Sequence, residues 1–187
     1  MLRLRTARKD FWKRTTWRAA FHGRNCFNTQ SLPFTLGLTM QFTESKMGRV
    51  FILRLHDGDH LPDVLENFAE QQKISHGLCF FLGGADEGSR VVVGPKDGKA
   101  FPPQPMTTLL KGVHEAAGVG TIFQNEEGKS KLHMHAAFGR KEETVAGCVR
   151  LGVDVWQIGE VIILELMGAQ AKRAVDKKTG FEFLEVG

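Results

Sequence analysis

Apolar and polar residues alternate along many short segments of this chain, which is the pattern of β-strands that bury one face. The first such segment, residues 49–55, is rich in β-branched and aromatic residues and ends before the turn-forming pair Asp57-Gly58. From residue 106 onward, short strands separated by turns account for most of the chain. Further strands are predicted at residues 78–82, 89–93, 107–113, 119–123, 131–138, 144–149, 153–166, 173–175 and 181–184.

One segment has helical periodicity instead. Its apolar residues recur at i, i+3, i+4 and i+7, as on the buried face of an amphipathic helix: Leu61, Val64, Leu65 and Phe68. We expect Asp59 to cap this helix and Pro62 to lie in its first turn. The pair Gly83-Gly84 is expected to end the following strand, and residues 124–128 to form a hairpin tip. The pattern predicts one α+β domain, a mostly antiparallel β-sheet with one main α-helix packed on it.

Charge is distributed unevenly along the chain. Residues 1–39 contain eight Lys or Arg and a single Asp, so the other 148 residues contain 17 basic and 20 acidic side chains. The basic segment has three interpretations: a nucleic-acid-binding arm, a transit-type targeting peptide, or a translated upstream stretch with the true start at Met40 or Met47. We predict a basic leader over residues 1–46, either disordered or an upstream mis-start, and a folded domain over residues 47–187.

The cysteine and hydropathy patterns narrow the class of protein. Three cysteines (Cys26, Cys79 and Cys148) do not form a disulfide framework, and Cys79 lies in an apolar run typical of core packing. This usage predicts a reducing, cytoplasmic compartment. No uninterrupted apolar run reaches the roughly 18 residues of a membrane span.

The strongest chemical feature is the segment Leu132-His133-Met134-His135. In a strand, His133 and His135 point to the same face with Cα atoms about 6.5–7 Å apart, close enough for both rings to reach one metal ion. Cys148 lies where the next strand of a meander would return beside them. Two imidazoles and a thiolate suit zinc and leave a fourth position open. The alternative is a His pair on a polar sheet face and a cysteine that only packs in the core.

Three further side chains are candidates for the same site. His114 precedes the strand that should pair with residues 132–138, and could provide a fourth ligand or support one of the others. Glu115 and Glu160 are candidate carboxylates to accept a hydrogen bond from a ligating imidazole. Each of the three has the simpler interpretation of a solvated residue at a strand end.

Several segments, in this order and spacing, resemble one known family. They are Gly48 to Leu55 with the helix after it, Gly83-Gly84, the stretch from Leu132 through Phe138-Gly139, Gly147-Cys148 and Gly159-Glu160-Val161. The sequence from about residue 48 to 184 resembles the PPC (plants and prokaryotes conserved) domain, in a prokaryotic-type form without an AT-hook.

This resemblance implies a homotrimeric assembly and, in some prokaryotic members, a metal site rich in His near a subunit boundary. Two of its positions correspond to His133 and His135. The third is a His in those relatives and is Cys148 here, which remains a good zinc ligand.

Three functions remain open on the sequence. The first is a metal-binding trimer, with zinc as the cofactor and no substrate named. The second is a DNA-associated regulatory protein by analogy with plant members, although Gly23-Arg24-Asn25 lacks the second Arg and the Pro of an AT-hook. The third is an oligomeric scaffold with an incidental His/Cys cluster. The sequence does not decide whether the chain is an enzyme, since it has no nucleophile motif, phosphate-binding loop or dinucleotide fingerprint.

Overall fold

The structure is a computed structural model that describes residues 40–187, so residues 1–39 of the predicted 1–46 leader lie outside the described residues. One α-helix, α1, spans Asp63–Gln72. The strands are β1 (Lys46–His56), β2 (His60–Leu61), β3 (His76–Ala85), β4 (Arg90–Pro95), β5 (Pro105–Leu109), β6 (His114–Gln124), β7 (Ser130–Arg140), β8 (Glu143–Cys148), β9 (Val153–Met167), β10 (Ala171–Val175) and β11 (Glu182–Val186).

Nine of the strands form one sheet in the order β1-β9-β3-β6-β7-β8-β4-β5, with the short β2 paired to β9. All of its strand pairs are antiparallel. The strands β10 and β11 form a separate two-stranded hairpin. The prediction of a mostly antiparallel sheet with one helix is therefore confirmed for residues 40–187.

Strict alternation along β7 assigns each residue to one face of the sheet. Leu132, Met134, Ala136 and Phe138 are buried in the hydrophobic core, whereas His133 and His135 are exposed on the opposite face. Helix α1 buries Leu65 and Ala69 in the same core. The helix is also tied to β7, because the Leu132 N–H donates to the Glu66 carboxylate at 2.9 Å.

The predicted helix cap is wrong. Helix α1 begins at Asp63, with Pro62 in the N-cap position and no side-chain cap hydrogen bond. Asp59 lies too far upstream, because His60–Leu61 pair with β9 before the helix starts. The Asp59 carboxylate instead accepts the His56 N–H at 2.8 Å and closes the turn after β1.

The pair Gly83-Gly84 does not end a strand as predicted. Both glycines lie inside β3, where the register with β9 shifts between them. A Cβ at Gly83, whose φ is +158°, would collide with the Ile158 carbonyl of β9. Glycine therefore permits a close approach of two paired strands here, which is a bulge and not a chain break.

Among residues 40–187, no helix is long and apolar enough to cross a membrane.

Candidate metal centre

The β7 strand presents two imidazoles side by side on the outer face of the sheet. The register between β6 and β7 is unbroken, with Thr121 opposite His133 and Val119 opposite His135. Because side chains alternate between the faces of a regular strand, His133 and His135, two positions apart on β7, share a face. Their ring centroids are 5.0 Å apart and their Nε2 atoms 3.2 Å apart.

The third donor comes from the neighbouring strand. Cys148 is the last residue of β8 and lies directly opposite His135 in the β7–β8 pair. It is a free thiol, and only 5% of the residue is exposed. The ligand atoms of His133, His135 and Cys148 all lie within 4.8 Å of one another. The structure thus brings together three of the four residues that the sequence proposed.

The spacing of the two imidazoles and the types of the three donors fit a zinc ion. When two nitrogens bind one zinc ion at about 2.0–2.1 Å with a tetrahedral angle between them, they are about 3.3 Å apart. The two Nε2 atoms are separated by a similar 3.2 Å. Two imidazole nitrogens and a thiolate are also the donor types that zinc prefers. Three protein ligands would leave a fourth position for a bound small molecule. The same 3.2 Å separation also fits an N–H···N hydrogen bond between the rings, which is the alternative without a metal.

Electrostatics favour the ligating form of one of the imidazoles. The pKa of His133 is lowered, first by desolvation and then by the positive charge of Arg173, the neighbouring His135 and the positive charge of Arg150. A lower pKa keeps the His133 ring neutral, so a nitrogen lone pair is available for a metal.

Sequence reasoning missed the arginines of this site. Arg173, in β10, is buried and its Nη2 donates to the Thr121 hydroxyl at 2.8 Å. Arg150 follows β8, and its guanidinium lies 5.4 Å from the ring centroid of Phe181. Both residues line a cavity beside His133 and Cys148. No local pattern points to them, because β10 reaches the cluster only through the tertiary fold.

The structure does not bring His114 to the cluster. The predicted hairpin of β6 and β7 is present, but its register places His114 five positions along β6 from Val119, about 17 Å at the rise of a strand. Its Nδ1 is 2.8 Å from the Gly112 carbonyl oxygen. The sequence predicted the hairpin of β6 and β7, but it did not predict how far along β6 His114 lies from the cluster.

The two candidate carboxylates are also distant. Glu115 lies opposite Gly139, four positions along β7 from His135. Glu160 is on β9, which is separated from β7 by β3 and β6. Within the described part of the chain, neither belongs to the group of donors around His133.

An antiparallel sheet with one helix and a His-His-Cys cluster on its outer face defines this chain as a small α+β domain with a candidate metal centre. Residues 42–167 match the family model of the Plants and Prokaryotes Conserved (PCC) domain. The chain belongs to this family, as its sequence pattern predicted. The match includes all three cluster residues and ends before β10 and β11.

Solved structures share this fold. A metal-containing protein from Archaeoglobus fulgidus has a TM-score of 0.68 at 24% identity, covering 78% of this chain and 99% of its own. A plant- and prokaryote-conserved (PPC) protein from Pyrococcus horikoshii has a TM-score of 0.65 at 20% identity, covering 79% and 100%.

A third similar structure carries a different description. It is a "putative DNA-binding protein" from Ralstonia eutropha JMP134, with a TM-score of 0.58 at 22% identity, covering 73% of this chain and 90% of its own. No curated protein sequence matches this chain. At these identities the similarities establish the fold alone.

Proposed function

We propose that this chain is a zinc-binding protein of the PPC family that works as a homotrimer in the cytoplasm. The observation that carries the proposal is the convergence of His133, His135 and Cys148, with all ligand atoms within 4.8 Å of one another. The similar protein from Archaeoglobus fulgidus is described as metal-containing, which supports a metal in this fold. When bound, zinc would supply a positively charged centre with one position open to a small-molecule ligand.

Zinc is favoured over harder cations by the donors themselves. A thiolate and two imidazoles are poor ligands for Mg²⁺ or Ca²⁺, which prefer oxygen. The free thiols of Cys79 and Cys148 support a reducing compartment, because neither is paired in a disulfide.

A row of apolar residues supports the trimer. Cross-strand partners Ile52, Ile162, Phe80 and Val119 lie side by side across β1, β9, β3 and β6, and the row continues into His135 and Cys148. All four apolar residues are exposed, with Ile52 at 84%. Exposed apolar patches of this kind mark interaction surfaces. A second copy of this chain is the proposed occupant, because the row runs directly into the candidate metal centre.

The test of the metal is elemental analysis by inductively coupled plasma mass spectrometry on the full chain, purified without an affinity tag. We expect about one zinc per chain in the wild type and a reduced content in Cys148→Ser. The matched control is His56→Ala, which removes an exposed strand histidine whose side chain is outside the cluster. Metal-free wild type after reconstitution, or equal zinc in all three proteins, would sink the proposal.

A DNA-associated role is the second candidate. It is favoured by the description of the similar Ralstonia eutropha protein and by the eight basic residues among positions 1–39. The remaining residues carry more acidic than basic side chains, so they offer no net attraction for phosphates. The basic segment would therefore have to supply the contact. A salt-dependent shift of a labelled duplex, lost on deletion of residues 1–39, would establish this role.

A further inference from the structure

Arg173 is a buried cation whose hydrogen-bonding capacity is mostly unused. Only 6% of the residue is exposed, and its guanidinium lies 5.6 Å from the ring centroid of Phe123. Nη2 donates to Thr121, but Nε has no hydrogen-bond partner. Among residues 40–187 no carboxylate forms an ion pair with it. A buried charge without a partner is costly, so such a residue is usually kept for a ligand or a neighbouring ion.

Arg173 lines a cavity of about 670 Å³, the arginine cavity, together with His133, Cys148 and Arg150. The other charged residues that line it are Asp63, Glu66, Lys131 and Glu182. Of these, Glu66 is already engaged by the Leu132 N–H and by the Lys131 ammonium at 3.5 Å. Neither Asp63 nor Glu182 forms an ion pair with Arg173 or Arg150, so within the described residues both arginines are without one.

A second cavity, of about 390 Å³, adjoins the cluster. It is lined by His135 and Cys148 and mainly by apolar side chains, including Val92, Phe101, Phe181 and Phe183. We refer to it as the apolar cavity. Cys148, Arg150, Phe181 and Phe183 line both cavities. The candidate metal centre thus borders both cavities: Arg173 lines only the arginine cavity, and Val92 and Phe101 line only the apolar cavity.

We propose that this site binds a small carboxylic acid in its ionised form, with the carboxylate paired to Arg173 and Arg150 and an apolar group in the apolar cavity. The position of the ligand beside the metal rests on the zinc site proposed above. Arginine is suited to this role because its planar donors match the two oxygens of a carboxylate. Small-molecule sites commonly combine an apolar lining with a few polar groups that orient the ligand.

The pKa of Arg173 agrees with a buried cation whose charge is only partly compensated. Desolvation lowers it from its ordinary value, and the nearby Glu182 carboxylate and, less strongly, Cys148 act in the opposite direction. A bound carboxylate would add to that opposing effect and stabilise the buried charge.

The experiment is isothermal titration calorimetry of the zinc-loaded full chain with 3-phenylpropionate. Two control ligands test the carboxylate and the apolar group separately: 3-phenylpropionamide is a neutral analogue, and propionate lacks the ring. We expect 3-phenylpropionate to bind more tightly than either. Arg173→Met should weaken its binding about tenfold to a hundredfold, the loss for a charge-assisted hydrogen bond. Arg150→Met should weaken it by a smaller factor, because Arg150 is exposed.

The matched control variant is Lys172→Met. Lys172 is the neighbour of Arg173 on β10, half-exposed, and its ammonium is near Glu126 and Glu185 instead of the arginine cavity. It should bind 3-phenylpropionate as the wild type does. Thermal melting of each variant checks that it folds. If Arg173→Met is unfolded, Arg150→Met decides the matter, and unchanged affinity in that variant overturns the proposal.

Zinc content, measured on the same samples, separates the two proposals. A zinc-loaded wild type that does not bind 3-phenylpropionate, or that binds it no better than Arg173→Met does, overturns the carboxylate site and leaves the metal intact. Loss of zinc in Arg173→Met also overturns the carboxylate site, because Arg173 would then be needed for metal binding at Cys148 and not for the ligand. If the wild type holds no zinc, the metal proposal fails. Titration of that metal-free protein then decides: binding that depends on Arg173 retains the carboxylate site, and no binding removes it.

Discussion

His135 and Cys148 lie directly opposite each other on β7 and β8, although thirteen positions separate them in the sequence. This pairing adds a thiol to the imidazole pair formed by His133 and His135 on a single strand. The same pair ends the row of exposed apolar residues that crosses four strands from Ile52. One register therefore connects the candidate metal centre to the candidate subunit interface.

Replacement of both imidazoles should remove the metal without unfolding the chain. The double variant His133→Ala, His135→Ala loses two of three donors, but both side chains are on the exposed face and the core is on the other. We expect no zinc by mass spectrometry and a far-UV circular dichroism spectrum like that of the wild type. An unfolded double variant would instead identify the ion as structural, as in closed four-ligand sites.

Truncation of Met134 should have the opposite effect, a loss of stability without a loss of zinc. Met134 lies between the two histidines in sequence but is fully buried in the core. Met134→Ala should lower the free energy of unfolding by about 2–5 kcal/mol, the usual cost of truncating a large core side chain. Urea denaturation measures the loss. At low denaturant the variant should still bind zinc, and a loss of stability below about 1 kcal/mol would contradict the assigned core position.

The ion pair of Arg49 and Glu165 should give an acid-sensitive contribution to stability. Two contacts of 2.7 Å join the guanidinium to the carboxylate, and the hydrogen bonds from Arg49 lower the pKa of Glu165 to about 2. The folded state therefore releases this proton more readily than the unfolded chain, where the pKa is near 4.5. The contribution is complete above pH 4.5 and is lost as the pH falls towards 2.

Arg49→Met tests this dependence. We expect it to be less stable than the wild type at neutral pH, with a difference that shrinks as the pH is lowered from about 5 to about 2. Denaturation at a series of pH values measures the difference, and Glu165→Gln should follow the same curve. A difference that stays constant over this range would rule out the ion pair as its source.

Gly83 should not tolerate a side chain. Gly83→Ala places a Cβ against the Ile158 carbonyl in a backbone conformation that L-residues rarely adopt. We expect a loss of about 1–3 kcal/mol in the free energy of unfolding, the range for local backbone strain. Gly98→Ala is the control, because a Cβ there meets no atom within 4 Å. Equal stability of the two variants in urea would contradict the close approach of β3 and β9.

A charge in the apolar row should dissociate the proposed trimer. Ile162 is 43% exposed on β9, between Ile52 and Phe80, so a monomer can hydrate a lysine there while a packed interface cannot. We expect Ile162→Lys to elute as a folded monomer in size-exclusion chromatography with light scattering. Leu109→Lys, on β5 and also half-exposed, should remain assembled. A wild type that is monomeric at micromolar concentration would remove the trimer altogether.

Local patterns in the sequence were sufficient for much of the fold. Alternation of period two predicted the hairpin of β6 and β7 and placed His133 and His135 on one face, because side-chain direction in a strand depends only on position parity. The i, i+3, i+4, i+7 spacing predicted α1, since it reflects the helical repeat. The predicted ends of the helix and strands were less accurate. Asp59 has the chemistry of a cap, but pairing of His60–Leu61 with β9 delays the helix start.

The sequence by itself determined the family, the antiparallel α+β architecture and the His pair, because these follow from residue order and local periodicity. Only the tertiary structure decided what surrounds that pair. It set the register that takes His114 away and leaves Cys148 opposite His135. It also brought Arg173 over Thr121 from a separate hairpin. Contacts between residues far apart in the chain depend on strand register and on packing, and neither is encoded in the spacing of any one segment.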